Sequence, residues 1–289
     1  MGKSRALAKL SENWRVPAWI GQAGGAFASI FLPAGCRLCD ELLVDASRLP
    51  LCADCLASFS RISGNVCQVC GVPLDFSPGD REEGNTEDDE AENDAALSLF
   101  PETCLPCRSE PLHFERVRSF ARYRDSLVRA IVLLKFEEMD PLADWFADRL
   151  ADVVRQNSAT LQADLIVPVP LHKYRQRERG FNQAELLSKR LAKKLKIPHQ
   201  GVLLVRKRPR PDKHLLTSNE RWEAVRGAFA TRPGSQVDNR RVLLVDDVMT
   251  TGATLDACAN ALREAGASSV LGLTVARAVP VLRKFGPRG

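Results

Sequence analysis

The chain has 289 residues, 45% of them apolar, and a net charge of +5; this suits a globular protein with room for one full α/β domain and a small module, and excludes fibrous and wholly disordered classes. The charge is uneven, because residues 80–94 hold nine acids against one Arg, so that of the net +5 the rest of the chain carries +13. A basic body suits a phosphorylated ligand or a nucleic acid, although scattered surface Lys and Arg would give the same number.

In chain order, Lys3, Arg5, Lys9 and Arg15 precede a stretch without charge from Val16 to Gly35. Four Gly and two Pro interrupt that stretch and make it a poor span or signal peptide. Residues 1–35 are therefore expected to form an amphipathic segment packed on protein, without stable membrane insertion.

Eight of the nine cysteines then fall into four Cys-x-x-Cys pairs: Cys36 and Cys39, Cys52 and Cys55, Cys67 and Cys70, Cys104 and Cys107. Tetrahedral zinc takes two such knuckles per ion. Sequential pairing predicts two structural Zn sites, the first four cysteines holding one and the last four the other, as in a double zinc ribbon over residues 36–110. A cross-braced pairing, an iron–sulfur cluster, or disulfides in an oxidising compartment are the alternatives. A thiolate module points to a reducing, cytoplasmic location. Residues from about 75 to 95, rich in like charge and poor in apolar side chains, are expected to be a disordered insertion inside the module. Cys258, alone in a later helix, reads as a small buried residue.

From residue 115 to about 280 the texture changes to alternating strands and helices. VRSFARY reads as a strand, and SLVRAIVLLKF as a helix with Leu127, Ile131 and Leu134 on one face. In DPLADWFADRLADVVRQ a second amphipathic helix starts, with Asp140 as the expected cap and Pro141 in the first turn. DLIVPVP has the texture of a buried parallel strand, FNQAELLSKRLAKKL of a helix, and RVLLVDD of the most hydrophobic strand. ATLDACANALREAG is a helix closed by Gly266, and SSVLGLTVAR a last strand. The fold class is α/β, a mainly parallel, doubly wound sheet preceded by the cysteine module.

The segment VLLVDDVMTTGATL carries the chemistry. A buried strand ends in two carboxylates, Asp246 and Asp247, and the loop Thr250, Thr251, Gly252, Ala253 and Thr254 leads into a helix. Ligands bind at the carboxyl ends of strands in open α/β sheets. Backbone N–H groups and Thr hydroxyls at a helix N-terminus suit a phosphate, and Gly252 permits close approach. Adjacent carboxylates can accept hydrogen bonds from vicinal hydroxyls, so the segment describes a site for ribose 5-phosphate. A polar turn that merely caps the helix is the bland reading. Neither the Gly-Lys-Ser/Thr of a P-loop nor a dinucleotide Gly-x-Gly-x-x-Gly is present here.

This segment resembles the 5-phosphoribosyl 1-pyrophosphate (PRPP) motif of type I phosphoribosyltransferases. With LLKFEEMDPLADWFADRL, VPVPLHKYRQRERGFNQAELL, ERWEAVRGAF and the cysteine pairs, the chain from about Pro33 to Val279 resembles the ComF family of competence-related, phosphoribosyltransferase-like proteins. The resemblance implies that Asp246 and Asp247 hold the ribose hydroxyls, that residues 250–254 hold the 5-phosphate, and that Mg²⁺ accompanies PRPP. It further implies that the basic turn Pro170–Gly180, with Leu171, His172, Lys173, Arg175, Arg177 and Arg179, is the pyrophosphate loop, and that residues 206–226 are a mobile loop closing over PRPP. Guanidinium and ammonium groups suit a diphosphate, and equally a solvated basic loop or nucleic-acid phosphates. Two departures stand out: Lys213 and Ala224 replace the Gln and Asn expected in the mobile loop, and Thr250 stands where purine-salvage relatives carry a carboxylate. No general base is visible, and no catalytic residue is assigned.

Three functions follow. The first is Mg-dependent phosphoribosyl transfer to an unidentified acceptor. The second is a PRPP-sensing protein that supports DNA uptake in natural transformation without turnover. The third is a scaffold with a vestigial site. PRPP or ribose 5-phosphate is the expected ligand, and single-stranded DNA, DNA-uptake proteins and a second copy of the chain remain open as partners.

Overall fold

The computed structural model describes residues 35–43, 49–74, 102–109, 111–137, 139–209, 218–235 and 237–279. The N-terminal segment, the acidic insertion and Lys213 lie outside them. The chain divides into two compact units, Met1–Ala57 and Ser58–Gly289. Among the described residues no helix is long and apolar enough to cross a membrane.

In the first unit an antiparallel bridge between Gly35 and Leu42 folds the first knuckle, and helix α1 (Ala53–Ala57) carries Cys55. In the second, a bridge between Val66 and Pro73 folds the knuckle of Cys67 and Cys70, and α2 (Leu105–Ser109) carries Cys107. The second cysteine quartet thus belongs to the same unit as the sheet.

The sheet is formed by β1 (Arg116–Arg122), β2 (Leu165–Pro168), β5 (Arg241–Met249) and β6 (Ser269–Arg277), all parallel, in the order β1-β6-β5-β2. A short antiparallel pair, β3 (Leu204–Arg206) and β4 (Phe229–Thr231), stands apart. The helices are α3 (Asp125–Phe136), α4 (Asp140–Gln156), α5 (Lys173–Arg179), α6 (Gln183–Leu195), α7 (Ser218–Glu223) and α8 (Ala253–Glu264). Side chains alternate across a strand. Val242 and Leu244 of β5 accordingly join Leu255, Cys258, Ala259 and Leu262 of α8 in one apolar cluster, while Leu243 and Val245 are buried on the other face. Leu127, Ile131 and Leu134 of α3 are buried as their spacing predicts, and so is Cys258.

The outer edge of β1 is capped rather than left open. Ile62 donates to Phe120 O at 3.0 Å, Arg122 to Ser60 O at 2.8 Å, and Val117 to Val69 O at 2.7 Å. Such pairing removes an edge that would otherwise template aggregation. Phe59, just before this edge segment, packs edge-on against Trp145 of α4 with ring centroids 5.6 Å apart. Between α4 and α6, Arg190 meets Asp140 at 2.7 Å and Asp144 at 2.9 Å, and Lys194 meets Asp148 at 2.6 Å. Acids four residues apart face bases four residues apart, which sets the register of the two helices.

Two local readings are corrected. Met139, not Asp140, is the N-cap of α4, with no side-chain cap; Asp140 is the first helical residue and its carboxylate is taken by Arg190. The basic segment after β2 is about two turns of helix, α5, rather than a turn alone, and His172 Nδ1 caps it by accepting the Tyr174 N–H at 3.3 Å.

Candidate functional site

At the carboxyl ends of β2 and β5 a cavity of about 490 Å³ opens. It gathers three segments that the sequence analysis singled out. Asp246 and Asp247 line it, with the whole loop Thr250–Thr254, and from the basic segment Leu171, His172, Arg175 and Arg179. Lys173 and Arg177 do not line it and are exposed. The helix explains the selection, since residues four apart share a face: Arg175 and Arg179 share the one on the cavity, and Lys173 and Arg177 share another.

β5 runs through the acidic pair to Met249. The Asp247 N–H donates to Asp246 Oδ1 at 2.8 Å, and the Val248 N–H to Asp247 Oδ1 at 2.7 Å, so the backbone anchors one oxygen of each carboxylate. Asp247 is 5% exposed. Its other oxygen meets Lys135 Nζ at 2.7 Å and the Gln183 side-chain amide at 3.2 Å. Gln183 in turn accepts from Arg179 Nη1 at 3.3 Å, and the Arg179 guanidinium lies 4.9 Å from the centre of the Phe136 ring. One polar chain therefore runs from the basic helix to the acidic strand, and the buried Arg179 Nε has no hydrogen-bond partner among the described residues.

The loop turns on Gly252, whose φ of +92° is left-handed; a Cβ there would come within 2.8 Å of Met249 Cε. Gly252 is also the N-cap of α8 and supplies no capping side chain. The first N–H groups of a helix have no intrahelical acceptor. They carry the positive end of the helix dipole to the loop that lines the cavity, a fitting arrangement for an oxyanion.

Each cysteine quartet has its four sulfurs within 4.8 Å of one another: Cys36, Cys39, Cys52 and Cys55, and Cys67, Cys70, Cys104 and Cys107. Tetrahedral zinc at about 2.3 Å per thiolate sets sulfurs about 3.8 Å apart. Cys39 and Cys52 are 3.7 Å apart, and Cys70 and Cys104 are 3.6 Å apart. Backbone N–H groups point at the ligand sulfurs: those of Cys52 and Cys55 at Cys36 and Cys52, those of Cys70 and Cys104 at Cys67. Hydrogen bonds from the Cys107 and Cys70 thiols lower the pKa of the Cys67 thiol, while the same contact with Cys67 raises that of Cys107, so the four crowded thiols would not all ionise without a cation among them. The pairing is sequential, so the cross-braced alternative is excluded, and both donor sets fit zinc.

Residues 27–88 match the family model of the double zinc ribbon domain, and residues 182–287 that of the phosphoribosyl transferase domain. Competence protein F of Haemophilus influenzae is 31% identical over 63% of this chain and 81% of its own length. The chain belongs to the ComF family. Among its other relatives, DNA utilization protein YhgH of Escherichia coli is 28% identical over 83% of this chain and 95% of that protein. Competence protein ComFC of Bacillus subtilis is 26% identical over 89% and 98%. The zinc ribbon match ends before Cys104 and Cys107, and the structure places this last knuckle beside Cys67 and Cys70 across the acidic stretch.

Against this ComF background, sequence reasoning missed Lys135, Gln183, Arg206 and Arg221, all of which line the cavity. A signal existed for Lys135. It stands four residues after Ile131, on the otherwise apolar buried face of its helix, where a lone cation needs a partner. Ala224 of the expected mobile loop also lines the cavity.

Proposed function

We propose that this ComF protein binds PRPP with Mg²⁺ and transfers its phosphoribosyl group to an acceptor. The observation that carries this reading is the single cavity lined by an acidic pair, a Thr/Gly loop at a helix N-terminus and two arginines of one short helix. The 5-phosphate suits Thr250–Thr254, the vicinal hydroxyls suit Asp246 and Asp247, and the pyrophosphate suits Arg175 and Arg179, whose charge matches that of the leaving group. In the transfer, the acceptor's lone pair forms the new bond to the anomeric carbon while the carbon–oxygen bond to pyrophosphate breaks and its electron pair leaves with pyrophosphate. Catalysis then rests on positioning and on stabilising the departing charge, without a covalent residue. The thiolate sites, which imply a reducing location, are consistent with a cytoplasmic protein.

A second reading is favoured by the relatives named for competence and DNA utilization: the same site senses PRPP in a protein that acts on incoming DNA without turnover. Calorimetric titration of PRPP with Mg²⁺ into the wild type and the Asp246→Asn/Asp247→Asn double variant tests the site. Micromolar binding lost in the variant supports it, and no heat from folded, zinc-loaded wild type sinks both readings. Pyrophosphate release across an acceptor panel, against salt-dependent retention of single-stranded DNA by the double variant, separates transfer from sensing.

A further inference from the structure

Arg277, the last residue of β6, is 6% exposed and sits between the second cysteine quartet and the phosphate-type loop. Its Nη2 donates to Cys70 Sγ at 3.7 Å. Its Nη1 donates to the carbonyls of Thr250, Met249 and Ala278. One guanidinium thus joins a metal-ligand sulfur to the backbone that enters the loop. The Ala278 N–H donates back to Met249 O at 2.9 Å, so the end of β6 and the start of the loop hold one another.

Two further ties follow the same route. Cys67 and Cys70 share an apolar cluster with Met249, Ala253 and Leu255 of the loop and the first turn of α8. Asp256, in that first turn, accepts the His113 backbone N–H at 2.6 Å and meets His113 Nδ1 at 2.9 Å; His113 lies six residues beyond Cys107. The knuckles are thus tied to the loop from both of their chain ends. Four ligands on one ion would fix the position of Cys70 Sγ, and through Arg277 the position of the loop carbonyls that it bonds. Partners of this outer kind orient groups at metal sites.

We infer that the second quartet does more than stabilise its own ribbon: through Arg277 as a positioning residue, metal bound there holds the loop Met249–Thr254 in the shape that accepts a phosphate. Loss of metal loosens the loop. The ligand site then reports the metal state of the ribbon. The affinity part of the test rests on the ribose-phosphate reading given above, and the exchange part does not.

The experiment compares zinc-loaded full-length wild type with Arg277→Gln and Arg277→Lys, and with Cys107→Ser, by zinc content, by peptide-level hydrogen exchange and by ribose 5-phosphate titration. Arg277→Gln is expected to keep its zinc, to exchange about tenfold faster over residues 249–258, and to bind ribose 5-phosphate about tenfold more weakly, the scale of one lost charge-assisted hydrogen bond. Arg277→Lys, which cannot span sulfur and carbonyls together, is expected to loosen the same peptides to a smaller degree, and it carries the test where the Gln variant does not fold. Cys107→Ser is expected to lose one zinc and match the Gln variant in those peptides. Wild-type exchange over 249–258 in both Arg277 variants overturns the inference, as does acceleration spread evenly through the sheet, which marks general destabilisation. Should the wild type bind no ribose 5-phosphate while the exchange pattern holds, the ligand reading fails and the coupling stands.

Discussion

Lys135 Nζ lies 2.7 Å from Asp247 Oδ2, with the two side chains 14% and 7% exposed, so a helix before the sheet's second strand supplies the counter-charge for the acidic strand end. Removing one partner of a buried pair leaves the other charge uncompensated, at a cost of about 3 kcal/mol. Lys135→Met is expected to lower stability by about that amount, and adding Asp247→Asn to recover more than half of it. Urea unfolding of the wild type, both single variants and the double variant measures the coupling; independent, additive effects would show that the pair is incidental.

The loop makes a second demand. Ala at position 252 must adopt a left-handed φ and place its Cβ against Met249. Gly252→Ala is expected to lower stability by about 1 to 2 kcal/mol and to weaken ribose 5-phosphate binding by more than the same change at Gly234, whose φ is +77° in open space. Parallel titration and thermal melts of the two variants make the comparison, and equal losses of affinity would remove the special role of Gly252.

What was legible in the sequence was what is contiguous in it. The acidic pair and the Thr/Gly loop occupy nine consecutive positions, 246–254, and the cysteine knuckles are two-residue spacings, so local pattern reaches both. The four parallel strands and the long helices followed from hydrophobic period, because residues such as Leu127, Ile131 and Leu134 report burial through spacing alone, whereas the short elements β3, β4, α5 and α7 did not, being too short to show a period. The partners of Asp247 were not legible in that way. Gln183 reaches it across 64 positions and Lys135 from a different helix, and only the packing of α3 and α6 on the sheet ends brings them together. Asp140 was misread as a cap for a related reason: its carboxylate is taken by Arg190 in a helix yet to come. Nor does spacing tell that the second quartet folds with the sheet while the first lies in a separate unit.

His199 gives a pH signature. Its Nε2 lies 2.9 Å from Ser188 Oγ, and burial pushes its pKa below the ordinary value. A group with a depressed folded-state pKa binds its proton more readily when unfolded, so its stabilising effect is complete above the unfolded value of about 6.5 and is lost as pH falls toward the folded one. The urea midpoint is expected to drop from pH 7 to pH 5, and His199→Gln to flatten that part of the profile. An unchanged slope in the variant would assign the drop to other groups.

The basic helix separates the cavity's cations from its bystanders. Arg175 and Arg179 line the cavity, whereas Lys173 and Arg177 of the same short helix do not. A uniform electrostatic role would make all four equivalent, while a pyrophosphate site engages only the first pair. Arg179→Ala is expected to weaken PRPP binding by roughly tenfold or more, as one charge-assisted contact is lost. Ribose 5-phosphate, which has no pyrophosphate, should lose little, and Lys173→Ala and Arg177→Ala should leave both ligands near wild type at physiological salt. Phe136, on which the Arg179 guanidinium stacks, gives an intermediate case: Phe136→Leu keeps the charge but frees its orientation, and is expected to weaken PRPP less than Arg179→Ala does. Calorimetry with the two ligands side by side checks the whole pattern, and equal losses from Lys173→Ala and Arg179→Ala would turn this helix from a pyrophosphate site into a diffuse basic surface.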